Sequence, residues 1–167
     1  MQHKRYFEDL ALDELFVSQG RTLTEADNVM WSMVTADWTP LHVDEEFART
    51  TPFGTRIPPG LMSQAITHGL LSRLDGPQRI ASIAFLTLTV RYQGAVRIGD
   101  TLHAELRIKG KRLTSKGDKG IVQYECLTLN QRNEVVQRGE WELLVACRPA
   151  ARPTGGDRPA AHGHGTE

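Results

Sequence analysis

Alternation of apolar and polar residues in the second half of the chain is the feature that most constrains the fold. Four segments there are rich in β-branched and aromatic residues and long enough to be strands: 80–92, 101–113, 120–129 and 135–147. The period of two is clearest where four small or aliphatic side chains share one side: Leu102, Ala104, Leu106 and Ile108. Such a strand has one buried face and one wet face, which predicts an antiparallel sheet with turns at 97–100 and 130–134.

The first half of the chain predicts helices. After an extended segment at 15–23, Thr24 is a candidate N-cap because Glu25 and Asp27 follow it in the first turn. Apolar residues then recur at helical spacing as far as about Ala36: Val29, Met30, Met33 and Val34. Pro40 prevents this helix from continuing much further.

A second apolar segment, 60–71, contains Gly60, Ala65 and Gly69, and we expect it to be the buried central helix. Helices followed by an antiparallel sheet make an α+β fold. The 167 residues are enough for one core and few for two, so we expect one domain over 1–148. The Pro-, Gly- and Ala-rich remainder, 149–167, has little apolar area to bury and predicts a disordered tail.

Composition argues against several classes of function. Lys and Arg number 20 and Asp and Glu also 20, a balance that argues against a nucleic-acid binder. No apolar run approaches the roughly 20 residues that span a bilayer, and the first residues do not resemble a secretory signal, so we expect no membrane association and a cytoplasmic protein. Cys126 and Cys147 lie in separate strand segments and predict buried free thiols in a reducing cytoplasm. His162 and His164, on a glycine-rich tail, are too few ligands for a metal site.

The stretch 37–59 is the candidate functional region, because its prolines and Gly54 rule out a long regular element, although 44–50 can form one or two helical turns. Asp37 and His42 lie five positions apart on either side of Pro40, so a turn can bring them to one cleft. A carboxylate and an imidazole there can hold and polarise a water molecule. The alternative is structural: Asp37 braces the turn and His42 packs on Trp38. Spacing alone favours that alternative.

Gly60 begins the central helix directly after Pro58 and Pro59. Free N–H groups at a helix N-terminus suit a developing oxyanion, and glycine lets a bulky ligand approach. Proline is also simply favoured in a first turn, and both interpretations can hold at once.

The run Ala-Asp-Trp-Thr-Pro-Leu-His-Val-Asp at 36–44 resembles the hydratase motif of MaoC-like (R)-specific enoyl-CoA hydratases, roughly Gly-Asp-x-Asn-Pro-x-His-x-Asp. The resemblance continues through Phe47, Ala48 and the helix start at 60, and it covers about residues 8–147. It implies the hot-dog fold, in which an antiparallel sheet wraps a central helix.

The resemblance also implies chemistry. Asp37 and His42 are the catalytic pair, which binds the water that adds to C3 of a trans-2-enoyl thioester while one of them returns a proton to C2. The Gly60 N–H binds the thioester oxygen. No metal or nicotinamide is implied, and coenzyme A enters as part of the acyl-CoA substrate. A homodimer or higher homo-oligomer is expected, with the site at the interface between subunits.

The chain departs from the motif at three positions: Thr39 replaces asparagine, Ala36 replaces glycine and Pro59 replaces histidine. These departures leave the substrate open. Trp38 either lines an acyl pocket or belongs to the core. Possible substrate-binding residues also include Thr39, Ser63, one turn into the helix, and Arg91, which can meet coenzyme A phosphates. The basic run 109–112 is more often a solvated strand end, and His68 more often a packed or subunit-contact residue than a base.

Two rival functions remain at the level of sequence. A hot-dog thioesterase needs a carboxylate and the helix N-terminus but no second proton-handling group, so His42 argues against it. A non-catalytic acyl-thioester-binding subunit has no need to keep both Asp37 and His42. Acyl length and branching, the choice between coenzyme A and acyl carrier protein, and the direction of reaction stay open.

Overall fold

The computed structural model describes residues 4–74 and 79–149. After a 3₁₀ turn at Phe7–Asp9 come two short strands, β1 (Leu15–Val17) and β2 (Arg21–Thr22). The helices follow in one block: α1 (Glu25–Thr35), α2 (Pro40–Val43), α3 (Glu45–Arg49) and α4 (Gly60–Ser72). Four long strands complete the chain: β3 (Ser82–Tyr92), β4 (Thr101–Leu113), β5 (Lys119–Leu129) and β6 (Val135–Ala146).

The sheet is antiparallel, with strand order β1-β4-β5-β6-β3, and β2 pairs with the start of β4. The strand β5 is central and pairs along its length with β4 and β6, whereas β3, among the residues described, pairs only with β6 and is an edge. The helix α4 packs against this sheet. The core between them is apolar and includes Met62, Ile66, Leu70 and Leu71 of the helix with Leu106, Val122, Val136 and Trp141 of the sheet.

The sheet wrapped on α4 confirms the predicted α+β hot-dog architecture. In β4 the predicted alternation holds, because the four apolar side chains from Leu102 to Ile108 are each at most 3% exposed. Thr24 caps α1 as predicted: its hydroxyl accepts from the Asp27 N–H, and the Asp27 carboxylate accepts from the Thr24 N–H. Strand ends differ from the prediction by one or two residues, as fraying ends do.

One element within 37–59 was missed. A single helical turn, α2, begins at Pro40 rather than being prevented by it. Proline is favoured at the first helical position because its ring fixes φ and its missing N–H has no partner there in any case. Pro40 therefore starts a new turn that contains His42.

Two elements leave apolar side chains uncovered in the single chain. On α1 the periodic residues Val29, Met30, Met33 and Val34 are 47–84% exposed, and the buried face instead consists of Asn28 and Ser32. On the edge strand β3, Ile83, Phe85, Leu86 and Leu88 are 40–49% exposed. The prediction of a helix over α1 was right, but the apolar stripe of α1 does not face the core of its own chain.

Other predictions have plainer outcomes. Both cysteines are free thiols, but the predicted burial holds for Cys126 only, because Cys147 follows the end of β6 and is partly exposed. In the basic run Lys109 pairs with Asp13 at 3.6 Å, and Lys111 Nζ donates to the carbonyls of Phe7 and Leu10, so it supports the amino-terminal segment. No helix among residues 4–74 and 79–149 is long and apolar enough to cross a membrane. The predicted tail, with His162 and His164, falls almost entirely outside the described residues.

Candidate active site

Asp37 and His42 lie on either side of a sharp bend between two helices. The helix α1 ends at Thr35 because Ala36 adopts the left-handed conformation, with φ of 57°. Asp37 follows directly, and α2 then places His42 in its single turn. The two side chains are therefore carried by the end of one helix and the body of the next.

Thr39 orients the Asp37 carboxylate. Its hydroxyl donates to Asp37 Oδ1 at 2.6 Å and its backbone N–H donates to the same oxygen at 3.2 Å. These two bonds, and then the nearby His42, lower the pKa of Asp37 below the ordinary carboxyl value, against a smaller opposing effect of burial. Asp37 is therefore ionised at neutral pH, and within the described chain its second oxygen, Oδ2, has no hydrogen-bond donor.

The imidazole of His42 is fixed through one ring nitrogen. Nδ1 lies 2.7 Å from the carbonyl oxygen of Ile57. Since a carbonyl only accepts, Nδ1 carries the hydrogen in the neutral ring, and Nε2 presents an unprotonated lone pair. The backbone carbonyl of His42 is held as well, because Asn28 Nδ2 donates to it at 2.8 Å.

A polar brace positions the segment that contains Ile57. The Glu45 carboxylate accepts from the Thr55 hydroxyl at 3.0 Å, and from the N–H and Nε of Arg56 at 3.3 and 3.2 Å. Arg56 Nη1 reaches back to Glu25, at the start of α1, at 2.6 Å. These bonds lower the pKa of Glu45, with the Arg56 N–H contributing most and the Thr55 hydroxyl next. The brace thus ties α1, α3 and the approach to α4 into one unit around His42.

Gly60 opens α4 beneath an aromatic ring. A Cβ at this position would lie 2.8 Å from Tyr92 Cε1, closer than atoms pack, so only glycine fits under the ring as it stands. Beside Gly60 is a cavity of about 560 Å³. Its lining is mainly apolar, with two buried polar side chains: it includes Phe53, Ile57, Leu61, Tyr92 and Val96, together with Ser63 and Gln137.

Ser63 is 2% exposed, and its hydroxyl is used inside the chain. It donates to the Gly60 carbonyl at 3.0 Å and accepts from Gln137 Nε2 at 2.8 Å. The network continues inward, since Thr128 donates to Gln137 Oε1 at 3.4 Å and shares a hydrogen bond with Thr67 at 2.9 Å. This network sets the first turn of α4 against β6. Sequence reasoning missed Gln137, although its place on a strand face toward the helix was a usable signal.

The remaining candidates are not gathered at the Asp37–His42 bend. Trp38 is 57% exposed, so it is not a core residue of the single chain. Arg91 is exposed beside Tyr92 on a regular stretch of β3, where neighbours leave opposite faces, so it points away from Gly60. His68 stacks with Trp141 and meets Phe85 edge-on, each at a centroid distance of 5.8 Å, at the other end of α4. Among the residues described, no cluster of three or more His, Cys, Asp or Glu side chains is arranged to hold a metal ion.

Comparisons with known proteins agree with this architecture. A family model described as a MaoC like domain matches residues 11–129. A protein of Rhodospirillum rubrum named (R)-specific enoyl-CoA hydratase is 31% identical over 144 residues, which are 86% of this chain and 93% of the relative. A 3-hydroxybutyryl-CoA dehydratase of Methylorubrum extorquens is 34% identical over 151 residues, 89% of this chain and 88% of the relative.

A solved structure gives the same result for the backbone. The protein, described as a monoamine oxidase regulatory protein of Archaeoglobus fulgidus, superposes with a TM-score of 0.82 at 33% identity, over 87% of this chain and 97% of its own. The family match covers well over half of the chain, and the curated relatives are matched almost end to end. The chain therefore belongs to the MaoC-like dehydratase family.

Proposed function

We propose that this chain catalyses the reversible hydration of a trans-2-enoyl-CoA to an (R)-3-hydroxyacyl-CoA, with Asp37 and His42 as the catalytic pair. Its family is one of hydratases and dehydratases, and curated relatives matched over most of their length carry those names. One observation of this chain supports the proposal most. The protein holds one atom of each side chain, Asp37 Oδ1 as an acceptor from Thr39 and His42 Nδ1 as a donor to Ile57, and within the described residues each side chain keeps one free acceptor, Oδ2 and Nε2.

Two free acceptors suit a single water molecule. A water that donates one hydrogen to Asp37 Oδ2 and the other to His42 Nε2 keeps its oxygen lone pairs directed outward, toward an electrophilic carbon. The water oxygen then bonds to C3 of the enoyl thioester, the C2–C3 double bond opens, and negative charge moves to the thioester oxygen. The Gly60 N–H, at the start of α4, is the donor for that oxygen; such donors are typically worth about 2.7–4 kcal/mol in a transition state.

Proton transfer falls to His42. An imidazole is intrinsically more basic than a carboxylate, and the pKa of Asp37 is further lowered by Thr39. His42 Nε2 therefore takes a proton from the water as the C3–O bond forms and delivers it to C2, which restores the neutral ring. Asp37 stays ionised, holds the water and stabilises the imidazolium. One water is consumed, and the product gains a hydroxyl at C3 and a hydrogen at C2.

We also propose a homodimer. The edge strand β3 has one backbone side that no other described strand pairs with, and it has exposed apolar side chains. An uncovered edge of this length is normally paired or protected. Leu61, on the outer face of α4 beside Gly60, is 67% exposed and adds to the same apolar surface. A second copy placed on β3 and α4 covers this surface and supplies the outer wall of the acyl site.

Hydration is tested with crotonyl-CoA by following the absorbance of the conjugated enoyl thioester beside an assay for free thiol. The expected result is loss of absorbance without thiol release, abolished in Asp37→Asn. Release of thiol instead indicates a thioesterase. If neither signal appears with crotonyl-CoA or with longer and branched enoyl-CoA substrates, the hydratase assignment is wrong and the chain is an acyl-thioester-binding protein.

A further inference from the structure

The buried face of α1 carries a side chain that neither the motif nor the reaction uses. Asn28 is 1% exposed, and its Nδ2 donates to the backbone carbonyl of His42 at 2.8 Å, across fourteen residues of chain. Its Oδ1 is buried, and among the residues described no group donates a hydrogen bond to it. Burying an amide oxygen without a hydrogen-bond donor costs free energy of folding. The hydrogen bond from Nδ2 to His42 is therefore the polar contact that Asn28 makes in its buried position.

This hydrogen bond reaches a backbone carbonyl that has no donor within α2. A helix leaves its last carbonyls without intrahelical donors, and α2 is only the four residues Pro40–Val43. The carbonyl of His42 lies in that short turn and receives its donor from another helix, α1. The amide orientation follows from the chemistry, because turning Oδ1 toward a carbonyl would place two acceptors together.

The helix that supplies this donor is also the helix that ends at Asp37. Asn28 lies two turns before the left-handed residue Ala36, and Asp37 follows it. The amide therefore joins the carrier of the carboxylate to the backbone of the imidazole. The ring of His42 is fixed separately by Ile57, so the histidine is held at two points by two different segments.

We infer that Asn28 is a positioning residue, which sets the separation of Asp37 and His42 by tying α1 to the carbonyl of His42. The inference rests on the proposed function for its kinetic effect, but its structural part does not. An error of about 1 Å in placing a reacting group can cost about 10²-fold in rate, so a small shift of α2 is enough to matter. Substrate binding is expected to change little, because Asn28 is buried and is not among the described residues that line the cavity beside Gly60.

The test compares Asn28→Asp and Asn28→Ala with Ser32→Ala. The aspartate keeps the size of the side chain but cannot donate, and alanine removes it. Ser32 is the matched control: it lies one turn later on the same buried face, is 0% exposed, and its hydroxyl has no partner within the described chain. Each protein is labelled with ¹⁵N-histidine, and the ring nitrogens of His42 are read by long-range NMR across pH. Turnover and KM are then measured with an enoyl-CoA.

We expect both Asn28 variants to change the ring ¹⁵N chemical shifts of His42 and to lower kcat by about tenfold or more with KM within about threefold, since misplacement acts on the reacting geometry. Ser32→Ala should match the wild type in both. Lower thermal stability with unchanged His42 spectra and kcat in folded protein would show a merely structural role and overturn the inference. If the wild type hydrates no enoyl-CoA, the proposed function fails, but the His42 spectra still decide whether Asn28 positions the ring.

Discussion

The bend that carries the Asp37–His42 pair and the edge strand β3 are built in opposite ways. The bend is held by polar bonds that begin and end within the chain: Thr39 to Asp37, Ile57 to His42, and Glu45 to Arg56. On β3, by contrast, every residue except Val90 is exposed, and within the described part of the chain the strand pairs with β6 alone. One chain thus sets the polar geometry of the candidate site, and in the proposed dimer a second chain supplies its apolar wall.

The largest effect is expected from the pair itself. Asp37→Asn removes the ionised acceptor and His42→Ala removes the base, so each should lower kcat by at least about 10²-fold. Because both side chains are partly exposed and lie on a surface bend, neither change should unfold the protein. Stopped-flow or steady-state absorbance with an enoyl-CoA measures the rate, and circular dichroism checks the fold. Rates like the wild type in either folded variant contradict the mechanism.

A charged substitution on the apolar surface of β3 should disrupt the proposed dimer. Leu88→Asp places a carboxylate on the apolar surface, where burial against a second copy would leave it unpaired at a cost of several kcal/mol. We expect the main species to become a monomer, with turnover at least about tenfold lower because the site loses its wall. Light scattering after size-exclusion chromatography measures the mass.

Thr87 offers a matched control on the same strand. Its hydroxyl donates to Glu142 at 3.3 Å, and its side chain leaves the face opposite to Leu88. Thr87→Lys should keep the dimer. A wild-type protein that is monomeric and fully active at assay concentration would refute the second-chain account.

Gly60 lies between the Asp37–His42 bend and β3, so a substitution there tests the interpretation of both regions. Gly60→Ala puts a methyl group 2.8 Å from Tyr92 Cε1, which forces either the ring or the helix start to move. We expect kcat to fall by about tenfold, since a displaced N–H no longer meets the thioester oxygen. Gly60→Ala combined with Tyr92→Ala relieves the clash and should recover part of the loss. If the folded double variant recovers no activity, the clash with the Tyr92 ring is not the cause of the loss in Gly60→Ala.

The smallest effect concerns pH. Thr39→Val removes the hydroxyl bond to Asp37, the largest cause of its lowered pKa, so that pKa should rise toward the ordinary carboxyl value. In the proposed mechanism catalysis needs the ionised carboxylate, which is lost as pH falls, so the acid limb of kcat should move to higher pH. At neutral pH the loss should be only about two- to fivefold. Thr39→Ser keeps the donor and should leave the profile in place; a profile unchanged in Thr39→Val would show that the hydroxyl does not tune Asp37.

Sequence reasoning succeeded where structure is decided locally. The burial of alternate residues in β4 and the Thr24 cap of α1 follow from neighbours within a few positions. It failed where a distant segment decides: the contact of Ile57 with His42 spans 15 residues, and that of Gln137 with Ser63 spans 74. The apolar stripe of α1 predicted the helix, but nothing local shows whether its own chain or a second one covers Met33 and Val34.

The double variant Asp37→Asn/His42→Ala shows whether Asp37 and His42 act on one shared water. Its kcat on an enoyl-CoA is compared with those of the two single variants. Groups that act as a unit are strongly non-additive, so the double variant should be within about threefold of the slower single variant. Losses that multiply would mean that the two residues act on separate steps, which would contradict the shared water.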